Sequence, residues 1–300
     1  MVRLLTTGSR IATALRAGSS DATALRTVTA DAAELARFSR LAREWHDAEG
    51  GAFRALHSMN ELRVPWIESV VGEERTEKKE EEKERIAGGV IKQFFNLSQS
   101  TAPVARPPKR VCEIGCGGGV LSVALARRGL HVTGVDAGAE AVKAAEGMKQ
   151  WMSIDTETRA RMNFENGTAE EFAERHPGEF DAVVASEVIE HVHAPWAFVE
   201  ACAQLVKPGG SLFFTTINRT IASRVLAVWM AEKVLRIVPD GMHDWNKFVQ
   251  PEELDTLLRR VRCRTEGIYG MAYEPLSNRW HWTTTKAINY ALVARKESSE

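Results

Sequence analysis

The chain has 300 residues, of which 44% are hydrophobic and 26% are charged, so it can bury a sizeable core as one large domain or two small ones. Its formal net charge of −1 gives no general attraction to nucleic acid or to an anionic membrane, so any such contact must come from a local patch. The four cysteines show no CxxC pair and no zinc spacing, and we interpret them as reduced apolar residues rather than a disulfide framework.

The first thirty residues are predicted to lie outside the fold. Three arginines and several hydroxyl side chains precede the first acid, Asp21. This composition favours an amphipathic mitochondrial presequence over a secretory signal, because it contains no uninterrupted apolar core of the secretory type. A disordered tail is the alternative. Either interpretation predicts that residues 1–30 lie outside the fold and that a single domain occupies residues 31–300.

Two helical patterns follow the leader. Apolar residues recur at helical spacing from Asp31 to Trp45, and a second run extends from Leu56 to Ile67. These helices precede the predicted sheet and are placed to cover a ligand site at its edge. Arg63, on the second helix, is a candidate partner for a carboxylate of the ligand, although from spacing alone a surface arginine is the simpler interpretation.

A run of glycines then links an apolar strand directly to a helix. Gly115, Gly117 and Gly119 allow left-handed dihedrals and let the main chain approach a ligand closely. The helix that follows adds free N–H groups and a partial positive charge. The pattern differs from the dinucleotide fingerprint because position 120 is Val120. Glu113 instead stands inside the strand end, where a carboxylate suits a ligand that carries an ammonium group.

A second apolar strand ends in Asp136, about twenty residues past the first glycine, where nucleotide folds carry an acid that binds ribose. Together the glycine loop, Glu113 and Asp136 resemble motifs I and II of the class I S-adenosylmethionine-dependent methyltransferases. The resemblance implies a Rossmann-like fold and S-adenosylmethionine as the cofactor.

Alternation of strands and helices from residue 110 onward predicts a sheet that is covered by helices on both faces. The expected fold is α/β, with a mostly parallel seven-stranded sheet, an antiparallel edge strand and N-terminal cap helices. The last two strands are expected to be joined by a long irregular connection. The predicted strands cover residues 110–114, 131–136, 162–167, 180–186, 211–217, 264–271 and 287–295, and the helices between them include 120–128, 140–154 and 197–205.

Glu187, Glu190 and His191 follow the fourth predicted strand, at the end of the sheet where ligands gather. If Glu187 begins a helical turn, the other two lie at i+3 and i+4 on the same face. Two carboxylates and an imidazole would then form half of a shell for a divalent cation, and hard oxygen ligands favour magnesium or manganese. One alternative is a helix N-terminus that simply prefers acids. Another keeps the residues without an ion and makes His191 a catalytic general base.

Two segments are predicted insertions in the domain. Residues 73–85 are almost all charged and of mixed sign, which predicts a solvated helix or a disordered loop. Residues 220–238 mix apolar side chains with four charges, which argues against an ordinary membrane span and allows an amphipathic helix in the membrane interface. A buried helix is the alternative for this second segment.

Further blocks resemble the ubiquinone-biosynthesis O-methyltransferases, which methylate polyprenyl dihydroxybenzoates and demethylubiquinol. The resemblance extends over roughly residues 31–295 and departs at 73–85 and 271–286. The matching blocks are 33–38 with 56–63, Glu187-x-x-Glu190-His191, 201–214, and Gly241-Met-His-Asp-Trp-Asn-Lys-Phe248 with Pro251-Glu-Glu-Leu254.

The resemblance implies a mitochondrial O-methyltransferase that acts on a polyprenyl catechol and binds no nucleic acid. It also implies peripheral contact with the matrix face of the inner membrane and membership of a multi-subunit quinone-biosynthesis complex. A bound cation, such as Mg²⁺, would lower the pKa of a catechol hydroxyl and orient its oxygen. Carried over residue by residue, the resemblance implies that Arg63, Gly115, Asp136 and Ser186 contact S-adenosylmethionine and that Glu187, Glu190 and His191 hold the metal.

Two other functions share parts of this pattern. Small-RNA 2′-O-methyltransferases also place a Glu-x-x-Glu-His metal motif after the fourth strand. RNA binding should leave a basic groove with aromatic platforms, and the near-neutral sequence indicates neither. The second alternative is a catalytically silent scaffold of a quinone-synthesis assembly, which the presence of Glu113, Asp136, Glu187, Glu190 and His191 disfavours.

Overall fold

A computed structural model of the chain describes residues 29–72, 109–151, 154–224 and 245–298. Three predictions lie outside these residues, namely the leader up to residue 28, the charged segment 73–85 and most of the segment 220–238. No helix within the described ranges is both long and apolar enough to span a bilayer.

The described strands form a single mixed sheet in the order β3-β2-β1-β4-β5-β8-β6-β7. The first five strands in this order pair in parallel, and β8, β6 and β7 continue the sheet in antiparallel pairs. The predicted α/β class and mostly parallel sheet are therefore confirmed. The strands are β1 (Arg110–Ile114), β2 (His131–Asp136), β3 (Met162–Asn166), β4 (Phe180–Ser186), β5 (Val206–Ile217), β6 (Cys263–Glu274), β7 (Arg279–Thr283) and β8 (Asn289–Lys296).

The predicted count of seven strands is wrong, because the described part of the chain contains eight. The long connection expected after residue 271 forms β7, which pairs with β6 from Gly270 to Glu274. Its aromatic side chains find apolar partners, and the Trp282 ring centroid lies 5.8 Å from that of Trp66 and 5.9 Å from that of Tyr269. Burial of these rings stabilises a strand where the sequence indicated irregular chain.

Helices cover both faces of the sheet, as predicted. Successive residues of one strand point to opposite faces, so Phe213 of β5 packs in one hydrophobic cluster and Phe214 in the other. The helices are α1 (Ala32–Arg40), α2 (Arg54–Gly72), α3 (Val120–Ala126), α4 (Ala139–Trp151), α5 (Thr156–Ala160), α6 (Ala169–Arg175), α7 (Pro195–Leu205) and α8 (Pro251–Arg260), with 3₁₀ turns at Ala42–His46, Ile189–His191 and Trp245–Lys247.

The first predicted helical run is divided in two. Asp31 caps α1 by accepting a hydrogen bond from the Ala33 N–H at 2.8 Å, but α1 ends at Arg40 and a 3₁₀ turn carries the chain to Trp45. The Trp45 ring stacks on Phe53 with the centroids 3.5 Å apart. This turn brings the indole over the glycine loop.

Thr29 and Ala30, which precede the predicted start of the domain, contact the rest of the fold. The Thr29 side chain is buried, its carbonyl accepts a hydrogen bond from the His193 N–H at 3.0 Å, and Ala30 forms an antiparallel bridge with Val192. The segment before α1 is therefore tied to the chain that follows Glu190 and His191. The leader itself stays a prediction.

Candidate active site

The carboxyl ends of β1, β2 and β4 open into a cavity of about 420 Å³. Sites for small molecules typically have volumes of about 300–1,000 Å³, so the cavity is large enough for a cofactor. Its position is the one expected for ligands in open α/β sheets. Every residue that the sequence predicted as a site residue lines it: Arg63, Glu113, Gly115, Gly117, Asp136, Ser186, Glu187, Glu190 and His191.

The glycine loop needs its glycines for conformation and for space. Gly115 and Gly117 have φ angles of 73° and 53°, in the left-handed region that residues with a Cβ adopt at a cost. A Cβ on Gly117 would overlap the Trp45 ring, and one on Gly115 would overlap the Val188 side chain. The loop therefore has main chain against the cavity and side chains packed closely around it.

Asp136 joins this loop to the end of β2. Its Oδ2 accepts a hydrogen bond from the Gly117 N–H at 2.9 Å, and its Oδ1 accepts one from the Gly138 N–H at 2.7 Å. Burial raises the pKa of Asp136, although both backbone hydrogen bonds oppose the change. Each oxygen keeps a second lone pair, so the carboxylate can hold the loop and still accept hydrogen bonds from a ligand.

Arg63 is buried and is not the surface residue that its spacing alone suggested. Its guanidinium donates to Asn60 Oδ1 at 2.7 Å, to Ser186 Oγ at 2.6 Å and to the Leu56 carbonyl at 3.2 Å. Burial lowers the pKa of Arg63 to about 10, and the neighbouring Glu113 opposes this shift. The side chain stays a cation at neutral pH.

Glu113 provides a buried acid beside this cation. Its carboxylate accepts a hydrogen bond from the Ser122 hydroxyl. Burial raises the pKa of Glu113 to about 7, while Ser122 and Arg63 act in the opposite direction. Near neutral pH this side chain is therefore divided between its protonated and charged forms.

Glu187 and Glu190 form a second acidic group, and their geometry differs from the prediction. Glu187 has a φ angle of 57°, so it does not begin a helical turn, and only Ile189–His191 form a short 3₁₀ turn. The expected single helical face is therefore absent, because the left-handed residue breaks the i, i+3, i+4 relation. Glu190 accepts a hydrogen bond from Thr216 Oγ1 at 2.8 Å. Burial raises the pKa of both glutamates, and the charge of Glu190 raises that of Glu187 further.

His191 contacts an acid from the N-terminal helix. Its Nδ1 lies 3.4 Å from Glu34 Oε2, and the Phe38 ring meets the imidazole edge-on with the centroids 5.2 Å apart. Burial opposes protonation, but Glu34 and Glu190 outweigh it and raise the pKa of His191. An imidazole held through Nδ1 by a carboxylate has one defined tautomer, which suits either a general base or a metal ligand.

These same side chains offer donor atoms to a divalent cation. The buried Oε1 of Glu187 has no hydrogen-bond partner, and a cation would relieve its repulsion with Glu190. The donor chemistry of the two carboxylates and His191 therefore fits a cation. Over residues 29–72, 109–151, 154–224 and 245–298, however, no three His, Cys, Asp or Glu side chains are grouped closely enough to hold a metal ion.

The cavity has an aromatic wall that was not predicted from the sequence. Tyr273 and Trp280 line it with their ring centroids 5.0 Å apart. Trp280 Nε1 donates to the Ala55 carbonyl at 2.9 Å, and the Tyr273 hydroxyl donates to Asn278 Oδ1 at 2.9 Å. These residues lie on β6 and β7, where the sequence departs from the family pattern. Aromatic residues at every second position were the available signal.

Comparison with known proteins identifies the class. A family model described as "Methyltransferase domain" matches residues 84–264. A solved S-adenosylmethionine-dependent methyltransferase from Methanosarcina mazei has a TM-score of 0.51 at 18% identity, covering 67% of this chain and all of that chain, which supports the fold alone. Fold and sequence together make the protein an S-adenosylmethionine-dependent methyltransferase with the class I architecture.

The relatives narrow the class to a family. Ubiquinone biosynthesis O-methyltransferase, mitochondrial, of Rattus norvegicus is 39% identical over 261 residues, covering 87% of this chain and 68% of the relative. The Homo sapiens protein of that name is 38% identical, with 88% and 64% covered, and the Aromatoleum aromaticum Ubiquinone biosynthesis O-methyltransferase is 37% identical, with 89% and 97% covered. The chain belongs to the ubiquinone biosynthesis O-methyltransferase family. It spans about two thirds of the length of the mammalian relatives and nearly all of the bacterial one.

Proposed function

We propose that this chain transfers a methyl group from S-adenosylmethionine to a hydroxyl oxygen of a polyprenyl-substituted catechol. One observation carries the proposal: the residues predicted to bind the cofactor and those predicted to activate a hydroxyl line the same cavity. The names of the relatives supply O-methylation in ubiquinone biosynthesis, and the sequence resemblance implies the polyprenyl catechol. The aromatic wall of Tyr273 and Trp280 supports it, because flat rings stack on aromatic side chains.

In this proposal the cofactor's amino-acid end meets Arg63 and Glu113. A buried cation beside a buried acid complements an ammonium and a carboxylate that lie close together, as in the methionyl part of S-adenosylmethionine. Ser186 keeps Arg63 in position through its hydroxyl. When bound, S-adenosylmethionine supplies an electrophilic methyl group.

The remaining cofactor contacts come from the first two strands. Gly115 and Gly117 allow the main chain to approach the ligand, because neither carries a Cβ. Asp136 accepts hydrogen bonds from the ribose hydroxyls, with its carboxylate already held by the backbone. This preorganisation reduces the ordering cost of binding.

Activation of the catechol oxygen is assigned to the group after β4. A catechol hydroxyl is mostly protonated at neutral pH, so its proton must be removed or its pKa lowered. We assign Glu187, Glu190 and His191 as the residues that would hold a divalent cation. Mg²⁺ or Mn²⁺ at this position would lower that pKa and orient the oxygen. The partnerless Oε1 of Glu187 and the raised pKa values of the two glutamates support this assignment.

A second mechanism uses the same histidine without a cation. The contact between His191 Nδ1 and Glu34 Oε2 favours an imidazole whose Nε2 takes the catechol proton. This mechanism does not require Glu187 and Glu190 to be metal ligands. The two mechanisms differ in their response to chelation.

The cellular setting is part of the proposal. We propose that the protein acts in the mitochondrion, since its mammalian relatives are named mitochondrial. There it would contact the matrix face of the inner membrane peripherally through residues 220–238 and work within a quinone-biosynthesis complex. Changing Trp229 and Met230 to glutamate should then release the protein from anionic liposomes while sparing turnover of a short-tailed catechol. Equal flotation of both proteins would contradict the membrane assignment.

Lipid analysis tests the substrate. Cells that lack the protein should accumulate a polyprenyl catechol and lose the methylated quinone, and the wild-type chain should reverse both changes. Asp136→Ala should fail to reverse them. Normal quinone without any catechol intermediate in such cells would overturn the proposal, and rescue by Asp136→Ala would favour a catalytically silent scaffold.

A further inference from the structure

Lys247 links two distant parts of the chain beside the candidate active site. It ends the 3₁₀ turn Trp245–Lys247, in a sequence block that has no role in the reaction proposed above. Its Nζ lies 3.0 Å from Asp31 Oδ2 and 3.5 Å from Glu34 Oε1, more than 210 residues away in sequence. Both acids have side chains that are at most 12% exposed. Since the Lys247 side chain is 30% exposed, the contact is partly buried.

The two carboxylate oxygens of Glu34 contact different partners. Oε1 faces Lys247, and Oε2 lies 3.4 Å from His191 Nδ1. Arg37 adds a contact at 3.3 Å to Oε2 from within α1. Since Glu34 lines the cavity together with His191, this carboxylate joins the N-terminal helix to the side chain assigned to proton removal or metal binding.

We propose that Glu34 and Lys247 are positioning residues for His191. Glu34 accepts a hydrogen bond from Nδ1–H and so fixes the tautomer that carries the lone pair on Nε2, while Lys247 holds the Glu34 carboxylate in place. The inference rests on the proposed role of His191, but it holds whether that residue is a base or a ligand, because both roles use an unprotonated nitrogen. Neither positioning residue needs to touch the substrate.

Variants of Asp31 distinguish this positioning role from simple attachment of α1 to the fold. This residue shares the Lys247 partner, lies on the same helical segment and contacts His193 Nε2 at 3.5 Å. Its carboxylate contacts Lys247, His193 and the backbone N–H groups of Ala33 and Glu34. If Lys247 serves only to attach α1 to the fold, variants of Asp31 and Glu34 should have the same effects on the histidine.

The test records imidazole ¹⁵N spectra of the full chain at an alkaline pH at which the His191 signals themselves report a neutral ring. Its signals are identified by their loss in His191→Gln. The wild type should have a protonated Nδ1 and an unprotonated Nε2. Glu34→Ala should mix the two tautomers and lower kcat about 10- to 100-fold without changing the KM for S-adenosylmethionine. Glu34→Gln, whose amide oxygen still accepts from Nδ1–H, should restore the wild-type tautomer, and Asp31→Asn should leave it unchanged.

Lys247 is tested in the same spectra. Lys247→Met should produce a smaller mixture of tautomers than Glu34→Ala, and Lys247→Arg should correct it, because the arginine keeps the charge next to Glu34. Wild-type His191 signals in Glu34→Ala would overturn the inference, and wild-type signals in Lys247→Met alone would remove Lys247 from it. A His191→Gln enzyme with full turnover would instead contradict the role of His191 in the proposed mechanism, whatever the tautomer in the other variants.

Discussion

Asp136 accepts a hydrogen bond from the main-chain N–H of Gly117 at 2.9 Å, which joins the end of β2 to the glycine loop after β1. The same carboxylate also holds the Gly138 N–H. One side chain thus organises two of the loops that line the cavity. Removal of this carboxylate should weaken cofactor binding more than it destabilises the fold.

Replacing Asp136 with alanine should weaken the binding of S-adenosylmethionine by about 1.5–3 kcal/mol, as expected when a hydrogen bond to a charged group is lost. Titration calorimetry measures the change. Asp155→Ala is the matched control, because it also removes a carboxylate that accepts from backbone, here the Thr158 N–H at 2.8 Å, at the exposed start of α5. Equal affinities for the folded Asp136→Ala variant and the wild type would contradict the assignment.

Cofactor affinity should depend on pH through Glu113. Burial raises the pKa of this acid to about 7, so below that pH the protonated form predominates and must lose its proton to meet an ammonium group. The Kd should therefore fall as the pH rises, by at most about tenfold per pH unit below pH 7, and level off above it. Calorimetry in buffers of different ionisation enthalpy should detect uptake of the released proton by the buffer.

Glu113→Gln is the control for this pH dependence. It keeps the shape of the side chain and cannot ionise, so its Kd should be weaker and nearly independent of pH in that range. If the variant retains the wild-type slope, the titrating group is a different residue, and the pairing of Glu113 with the ammonium group is wrong.

Gly117→Ala should destabilise the fold more than a left-handed conformation alone requires. A left-handed alanine costs about 1–2 kcal/mol, and here the new Cβ would also overlap the Trp45 ring. Gly129→Ala isolates the first effect, since Gly129 has a φ angle of 86° and no atom within 4 Å of an added Cβ. Denaturant unfolding should find a larger loss for Gly117→Ala. Equal losses for the two variants would mean that Trp45 does not pack on the loop in solution.

Chelation distinguishes the two proposed mechanisms of activation. If a cation assists the reaction, EDTA should abolish turnover, Mg²⁺ or Mn²⁺ should restore it, and Glu187→Ala and Glu190→Ala should each be nearly as damaging as His191→Ala. Elemental analysis must accompany the assay. Full turnover by enzyme with metal content near zero would refute the cation and leave His191 as the general base.

Local sequence was sufficient to predict much of the fold and the residues that line the site. Strand ends and the residues just after them carry Glu113, Asp136 and Ser186, and the carboxyl ends of parallel strands meet at one edge. The role of the glycines could also be predicted without tertiary information, because that prediction used only their backbone freedom. These are properties of the chain over a few residues.

Three features depended on distant contacts and were missed or misjudged. The left-handed φ of Glu187 is held where its N–H donates to the Thr215 carbonyl at 2.8 Å, so the helical spacing in the sequence was misleading. β7 forms because Trp282 packs against α2, which precedes it by some two hundred residues. The contact of Glu34 with His191 requires α1 to cross the chain after β4, and periodicity carries no information about such a crossing.

Transfer of a labelled methyl group is the most direct test of catechol O-methylation at this site. The purified full chain is incubated with Mg²⁺, a short-tailed catechol and S-adenosylmethionine that carries a deuterated methyl group, and the products are analysed by mass spectrometry. We predict one labelled methyl ether on a ring oxygen, greatly reduced with Asp136→Ala and with His191→Ala. A folded wild-type chain that binds S-adenosylmethionine yet leaves every catechol unlabelled, or labels a small RNA instead, would contradict the proposed function.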